Sequence, residues 1–243
     1  MDDNNLLLPG EGNGVSRRQF IRTGSLVSLT GIAGLSAAAL AACGHPDEDD
    51  ISPPEDLMRE HGILNRVLLV YDHFITQLAA GQSVNPQWVG DAAGIIHTFI
   101  EDYHEKQEED FLFPRFEKAH VLADLVGVLR VQHRQGRSVT DQVLQLAKHP
   151  QLTTDGDRQQ LSNLLSSFIR MYRPHEARED TVLFPALRGI VSKHEFDSLG
   201  EDFEKREHQL FGEGGFERFV DKVAGIEKQL GIYDLSQFTP EGS

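Results

Sequence analysis

An eleven-residue stretch written twice constrains this chain more than any other feature. Residues 104–114 read HEKQEEDFLFP and residues 175–185 read HEAREDTVLFP, sharing His, Glu, a fifth-position Glu, Leu, Phe and Pro in register. Upstream stand His61 and His133, so a lone His followed 42 or 43 residues later by His-x-x-x-Glu occurs twice (61 to 104, 133 to 175). Apolar residues around both copies recur at helical spacing, for example Leu57, Leu64, Leu68, Tyr71, Ile75 and Leu78, with His61 on the same stripe. Gly and Pro breaks then divide the chain. A first helix runs from 55 to the GQSVNP break at 81–86, a second to Pro114, a third from about 122 to 148, and a fourth from 157 to about 185. Two more helices are expected at 192–211 and 216–230, separated by the GEGG turn at 212–215. The reading is all-α: an up-down-up-down four-helix bundle over 55–190, with additional C-terminal helices in 191–243.

In antiparallel helices two residues lie at one height only if the turn falls midway between them. The midpoint of His61 and His104 is near Gln82, inside the GQSVNP break, and that of His133 and His175 is Thr154, inside HPQLTTDGD. His104 and His133 have theirs near Ala119, just beyond the expected end of the second helix. All four histidines are therefore level. Within each repeat the four-residue spacing puts His104 with Glu108, and His175 with Glu179, on one helix face about 6 Å apart along the axis. Their stripes are apolar (Ile100, Phe111; Phe168, Val182; Leu129 and Val143 for His133), so the set faces inward.

A buried carboxylate without a partner costs several kcal/mol or takes up a proton, and two among imidazoles are satisfied most simply by a multivalent cation. His61, His104, Glu108, His133, His175 and Glu179 are the expected metal ligands. Four imidazole nitrogens and four carboxylate oxygens exceed one octahedron and suit two metals sharing the glutamates. With no thiolate in the set, structural zinc is disfavoured and iron is chosen over manganese.

Composition narrows the partners. A formal charge of -15 at pH 7 repels phosphate backbones and acidic headgroups, so no nucleic acid is expected and cations are favoured. The one cysteine, Cys43, cannot form an intramolecular disulfide. Residues 16–22 (SRRQFIR) precede an Ala-, Gly- and Ser-rich run to Ala42 that is too short for a comfortable span, and together they resemble a twin-arginine export signal. The run ends Leu40-Ala41-Ala42-Cys43, which resembles a bacterial lipobox. Residues 1–43 are thus read as a signal in which Cys43 is acylated, against a cleaved signal whose Cys43 is incidental. An acidic tether over 44–54 then holds the domain off a bilayer of the cell envelope, on its periplasmic or outer surface.

With His61, HxxxE at 104–108, His133 and HxxxE at 175–179 in this order, and LFP after both HxxxE motifs, residues 55–190 resemble the hemerythrin-like, or HHE cation-binding, family. The resemblance implies a four-helix bundle holding two irons per chain with an oxo or hydroxo bridge, and a small diatomic or peroxide ligand. Oxygen-carrying members have a further histidine four residues after the third-helix His, where this chain has Arg137, and end in HxxxxD where HxxxE is read here. Stable O2 carriage is thereby put aside for binding or sensing of O2, nitric oxide or reactive oxygen species. A peroxidase or oxidase, and a structural or iron-buffering lipoprotein, are the alternatives.

Other polar residues receive plainer readings. His97 is placed on the inner face but about 10 Å from His104 along the helix, too far to ligate. Glu105 and Glu176 are either groups that orient an imidazole or solvated surface. Glu204, Glu207 and His208 imitate a metal face of the kind charge-rich helices produce readily. Glu101-x-x-His104 fits a ferritin-type fragment, but the fourth helix has no matching Glu-x-x-His. Tyr103 and Tyr172 read as core packing, and His73, His120, His149 and His194 as surface or helix-end residues.

Overall fold

The computed structural model describes residues 51–149, 152 and 154–240. The export signal, Cys43 and all but the last residues of the tether lie outside the described residues. Helix α1 (Pro53–Ala79) begins two residues earlier than the periodicity suggests. Extended Ser52 accepts the Glu55 N–H on its hydroxyl, Pro53 opens the first turn, and Glu55 and Asp56 favour the helix N-terminus. It gives way at Gly81, whose φ of 71° suits glycine.

Helix α2 (residues 86–119) is one rod of alternating winding: α-helical Pro86–Ile95, π-helical Ile96–His104, α-helical Glu105–Gln107, π-helical Glu108–Leu112 and α-helical Phe113–Ala119. α3 spans Ala123–Ala147. α4 (residues 155–187) joins α-helical Asp155–Arg178, π-helical Glu179–Leu183 and α-helical Phe184–Leu187, with Thr154 accepting the Asp157 N–H at its start. α5 (Lys193–Phe211), α6 (Gly215–Leu230) and a short 3-10 turn (Leu235–Phe238) complete the chain. α1, α2, α3 and α4 form a ring of neighbours, and α5 and α6 pack outside it, α6 on α1 and α2.

Neither LFP proline ends its helix where expected. α2 passes Pro114 to Ala119, and α4 passes Pro185 to Leu187. Both prolines follow a π turn that begins at the HxxxE glutamate: Phe113 N–H reaches the Glu108 carbonyl and Phe184 N–H the Glu179 carbonyl, each five residues back. A widened turn already forgoes one four-residue bond, so it tolerates a residue that has no N–H to give. The extra residue also rotates the inward stripe. Leu112 and Leu183 are buried, whereas Phe111 is half-buried and Val182 is exposed, contrary to the straight-helix expectation.

The apolar core is in two parts. The larger includes Val67 and Phe74 of α1, Phe99 of α2, Val143 of α3, Leu165 and Phe168 of α4, and Phe219 and Val223 of α6. The smaller joins Leu57, Leu112, Phe113, Phe116, Leu129, Leu183 and Phe184 to Phe196 and Phe203 of α5. In each of the four bundle helices a buried polar level separates the two. Among the described residues no helix is long and apolar enough to cross a membrane.

Candidate metal centre

That polar level holds the six side chains singled out by the repeat. His61, His104, Glu108, His133, His175 and Glu179 are each at most 4% exposed. Their ligand atoms fall into two overlapping groups, Glu108 with His133, His175 and Glu179, and His61 with His104 and Glu108. The imidazoles pair across helices: His61 and His104 have ring centroids 4.7 Å apart, His133 and His175 5.1 Å. Each glutamate lies between the pairs. Glu108 Oε2 is 3.8 Å from His104 Nε2 and 3.4 Å from His133 Nε2. Glu179 Oε2 is 3.4 Å from His61 Nε2 and 3.1 Å from His175 Nε2.

The far side of every imidazole is tied down. His61 Nδ1 lies 2.8 Å from Asp180 Oδ1, His104 Nδ1 2.8 Å from Glu60 Oε2, His133 Nδ1 3.1 Å from Glu109 Oε1, and His175 Nδ1 2.9 Å from Gln132 Oε1. Carboxylate and amide oxygens can only accept, so each Nδ1 carries a proton, and a neutral ring, the form that binds a cation, offers its Nε2 lone pair inward. This is how metal-binding imidazoles are usually oriented and made more basic.

The donor set fits a cation. Both oxygens of Glu108, both of Glu179, and Nε2 of His61 and His133 find no hydrogen-bond partner within the protein although fully enclosed. Buried polar atoms are normally paired, so such a cluster of enclosed orphans fits the binding of positive charge. Charge balance agrees. Burial, reinforced by Glu179, pushes the Glu108 carboxyl well above its usual range. Burial would do the same to Glu179, but His175 and His61 hold it well below. On His61 burial opposes the charge, yet the adjacent Asp180 and Glu179 carboxylates raise its pKa to about 10. On His133 burial prevails over Glu109 and lowers it to about 4. A divalent or trivalent ion would satisfy both carboxylates at once.

Arg137 fills the space beside His133. Its Nη2 is 2.7 Å from Glu105 Oε2 and 2.8 Å from Glu109 Oε1, two carboxylates that with His133 form a third group close enough to hold a cation, to which Arg137 already brings its own positive charge. Glu105 also accepts a 2.6 Å bond from the Tyr172 hydroxyl. Tyr172 therefore does more than pack on Phe168. The preceding Gly136 makes this possible: a Cβ there would sit 2.1 Å from the Tyr172 hydroxyl oxygen.

Several plainer expectations are corrected or refined. His97 does not face inward. It is 47% exposed, because the π-helical stretch beginning at Ile96 turns it outward, and it meets Glu101 at 3.3 Å. Glu101 is buried and joins no cation-holding group among the described residues. Glu105 and Glu176 are both buried, not solvated, and Glu176 accepts from Asn65. Glu207 accepts the Phe216 N–H at the start of α6, and with Glu204 and His208 it joins no cation-holding group among the described residues. Tyr103 packs against Phe99 and Phe211. His120, His149 and His194 are exposed.

The partners missed by the sequence reading are Glu60, Glu109, Gln132 and Asp180. A signal was present, since each is the immediate chain neighbour of a ligand candidate: Glu60 and Gln132 precede the lone histidines, and Glu109 and Asp180 follow the HxxxE glutamates. The repeat thus extends one residue outward on both sides. Asp180 also stands five residues after His175, so α4 carries the HxxxxD register together with HxxxE. Its carboxylate turns to His61 Nδ1 rather than inward.

The chain has counterparts among known proteins. The family model of the hemerythrin HHE cation-binding domain matches residues 52–187, more than half of the chain, and the chain belongs to that family. Relatives described as uncharacterized proteins in Mycobacterium bovis and in two strains of Mycobacterium tuberculosis are 46% identical over 235 residues, covering 93% of this chain and 91% of theirs. No solved structure matches it significantly.

Proposed function

We propose that the chain holds two irons between His61, His104, His133, His175 and the bridging carboxylates Glu108 and Glu179, and binds or senses O2, nitric oxide or reactive oxygen species at the bacterial cell envelope. The observation that carries this reading is the set of four unpartnered carboxylate oxygens enclosed by four inward Nε2 atoms. Eight protein donors against the twelve positions of two six-coordinate ions, less a bridging oxygen counted twice, leave about two for a small ligand. Iron there would supply open coordination positions and reversible redox chemistry.

The protein's own part is placement and exclusion. Asp180, Glu60, Glu109 and Gln132 hold each ring in one tautomer and one orientation. Phe184 stacks on His61 at 5.6 Å and Phe113 on His133 at 5.4 Å, which walls the level against water from the smaller core. Arg137 supplies no lone pair, so it adds no ligand and leaves a position open. The envelope placement rests on the Arg17–Arg18 signal and Cys43.

Metal analysis of protein matured in its own host, with optical spectra before and after exposure to air, tests the reading. About two irons per chain and an air-sensitive spectrum are expected. One zinc per chain, or no metal, would overturn it, and catalytic turnover of peroxide would move the protein to the oxidase or peroxidase class.

A further inference from the structure

We infer that the two halves of the centre are inequivalent: the position between His61 and His104 takes the first ion and holds it more tightly, and Gln132 is the residue that sets the difference. The inference rests on the two-metal reading above and deepens it.

The inner imidazoles do not discriminate, two to each half. The inner carboxylates lean toward the second half: each lies between one imidazole of either pair but nearer the second, Glu108 Oε2 at 3.4 Å from His133 Nε2 against 3.8 Å from His104 Nε2, and Glu179 Oε2 at 3.1 Å from His175 Nε2 against 3.4 Å from His61 Nε2. The difference that favours the first half lies one bond further out. In the first half both Nδ1–H groups donate to carboxylates, Asp180 and Glu60, each at 2.8 Å, and Glu60 accepts in addition from the neutral Gln107 amide at 3.2 Å. In the second half His175 donates to the neutral amide oxygen of Gln132. Its neighbour His133 has a carboxylate, Glu109, but at a longer 3.1 Å, and that group is also engaged by Arg137 at 2.8 Å and Lys106 at 2.6 Å.

A carboxylate accepting from Nδ1–H draws the proton toward itself and leaves the ring electron-rich, so Nε2 becomes a stronger donor to a cation. A neutral amide exerts little of that pull. A carboxylate already shared with a guanidinium and an ammonium exerts less of it than an unshared contact would. The contrast is a substitution inside the repeat rather than a consequence of topology, because Gln132 occupies the place before His133 that Glu60 occupies before His61. Gln132 is a positioning residue: it acts on the ion only through His175.

The test is anaerobic titration of the full-length, metal-stripped chain with Co2+, followed by its visible absorption and by calorimetry. Two resolved binding steps are expected. His175→Ala should keep the tight step and His104→Ala should lose it, whereas electrostatic repulsion between two ions in an even site would make these variants alike. Gln132→Glu should strengthen the weaker step about 10–100-fold, and Glu60→Gln should weaken the tighter one by a similar factor. Both replacements are nearly isosteric, and far-ultraviolet circular dichroism confirms that the variants are folded. Equal losses in the two histidine variants, or an unmoved weak step in Gln132→Glu, would overturn the inference. Two ions bound with indistinguishable strength would sink it alone, while fewer than two would sink the two-metal reading with it.

Discussion

The two apolar cores on either side of the polar level are built differently. The larger draws on long stretches of all four bundle helices, is sealed by α6, and is further fastened by the Arg66–Glu227 ion pair between α1 and α6. The smaller consists mostly of helix ends sealed by α5, and its two central rings, Phe113 and Phe184, lie directly on imidazoles of the centre. One core can be assembled from apolar contacts alone, while the other is stacked on a layer of carboxylates and imidazoles whose inward atoms find few partners within the protein. The smaller core is therefore expected to depend on bound metal, and the larger one is not.

Metal removal should separate the cores most strongly. If free metal stands at about a thousand times its dissociation constant, stripping it lowers unfolding free energy by about 4 kcal/mol. Amide hydrogen exchange should then accelerate chiefly in residues 108–119, 183–187 and 196–203, and least in 64–74 and 161–168. Uniform acceleration would break the comparison. Next in size, Phe184→Ala and Phe74→Ala should each cost about 3–5 kcal/mol in urea unfolding, since both rings are fully buried. Only the first should also lower metal content, because only Phe184 borders the centre, and equal metal loss in both variants would argue against a special role for the smaller core.

Tyr172→Phe removes a donor to a buried carboxylate and should cost about 1.5–3 kcal/mol. Tyr172 lies on the larger core's side of the level, so exchange in 183–187 should hardly change, and acceleration there would show that the two cores are coupled through Glu105. Smallest is Ser192→Ala, which takes away the hydroxyl that accepts the Glu195 N–H at the start of α5. A loss of about 1 kcal/mol is expected, with faster exchange confined to α5 and the residues it covers. An effect reaching 64–74 would blur the division.

Much of this architecture was legible along the chain. The His61–His104 and His133–His175 midpoints fall between helices, and that of His104 and His133 at Ala119, the last residue of α2 rather than beyond it, because an antiparallel hairpin converts sequence distance into height; four-residue spacing puts each glutamate beside its histidine. The LFP prolines were less transparent. Read as ordinary breakers they mark helix ends, and only the π turns at Glu108 and Glu179 explain why the rods continue and why Leu112 and Leu183, not Phe111 and Val182, turn inward. Tyr172 shows the same limit: its helical spacing fits packing, and nothing local reveals that Gly136 on another helix clears room for its hydroxyl to reach Glu105.

The sequence by itself determined the all-helical class, the two-fold repetition and the group of six side chains at one level, because periodicity and spacing are properties of single rods and of the turns between them. Tertiary structure alone decided which outer oxygen meets which imidazole, since that depends on the rotation of each helix about its axis. It also decided that the two repeats, alike in their inner ligands, differ in the groups standing behind them.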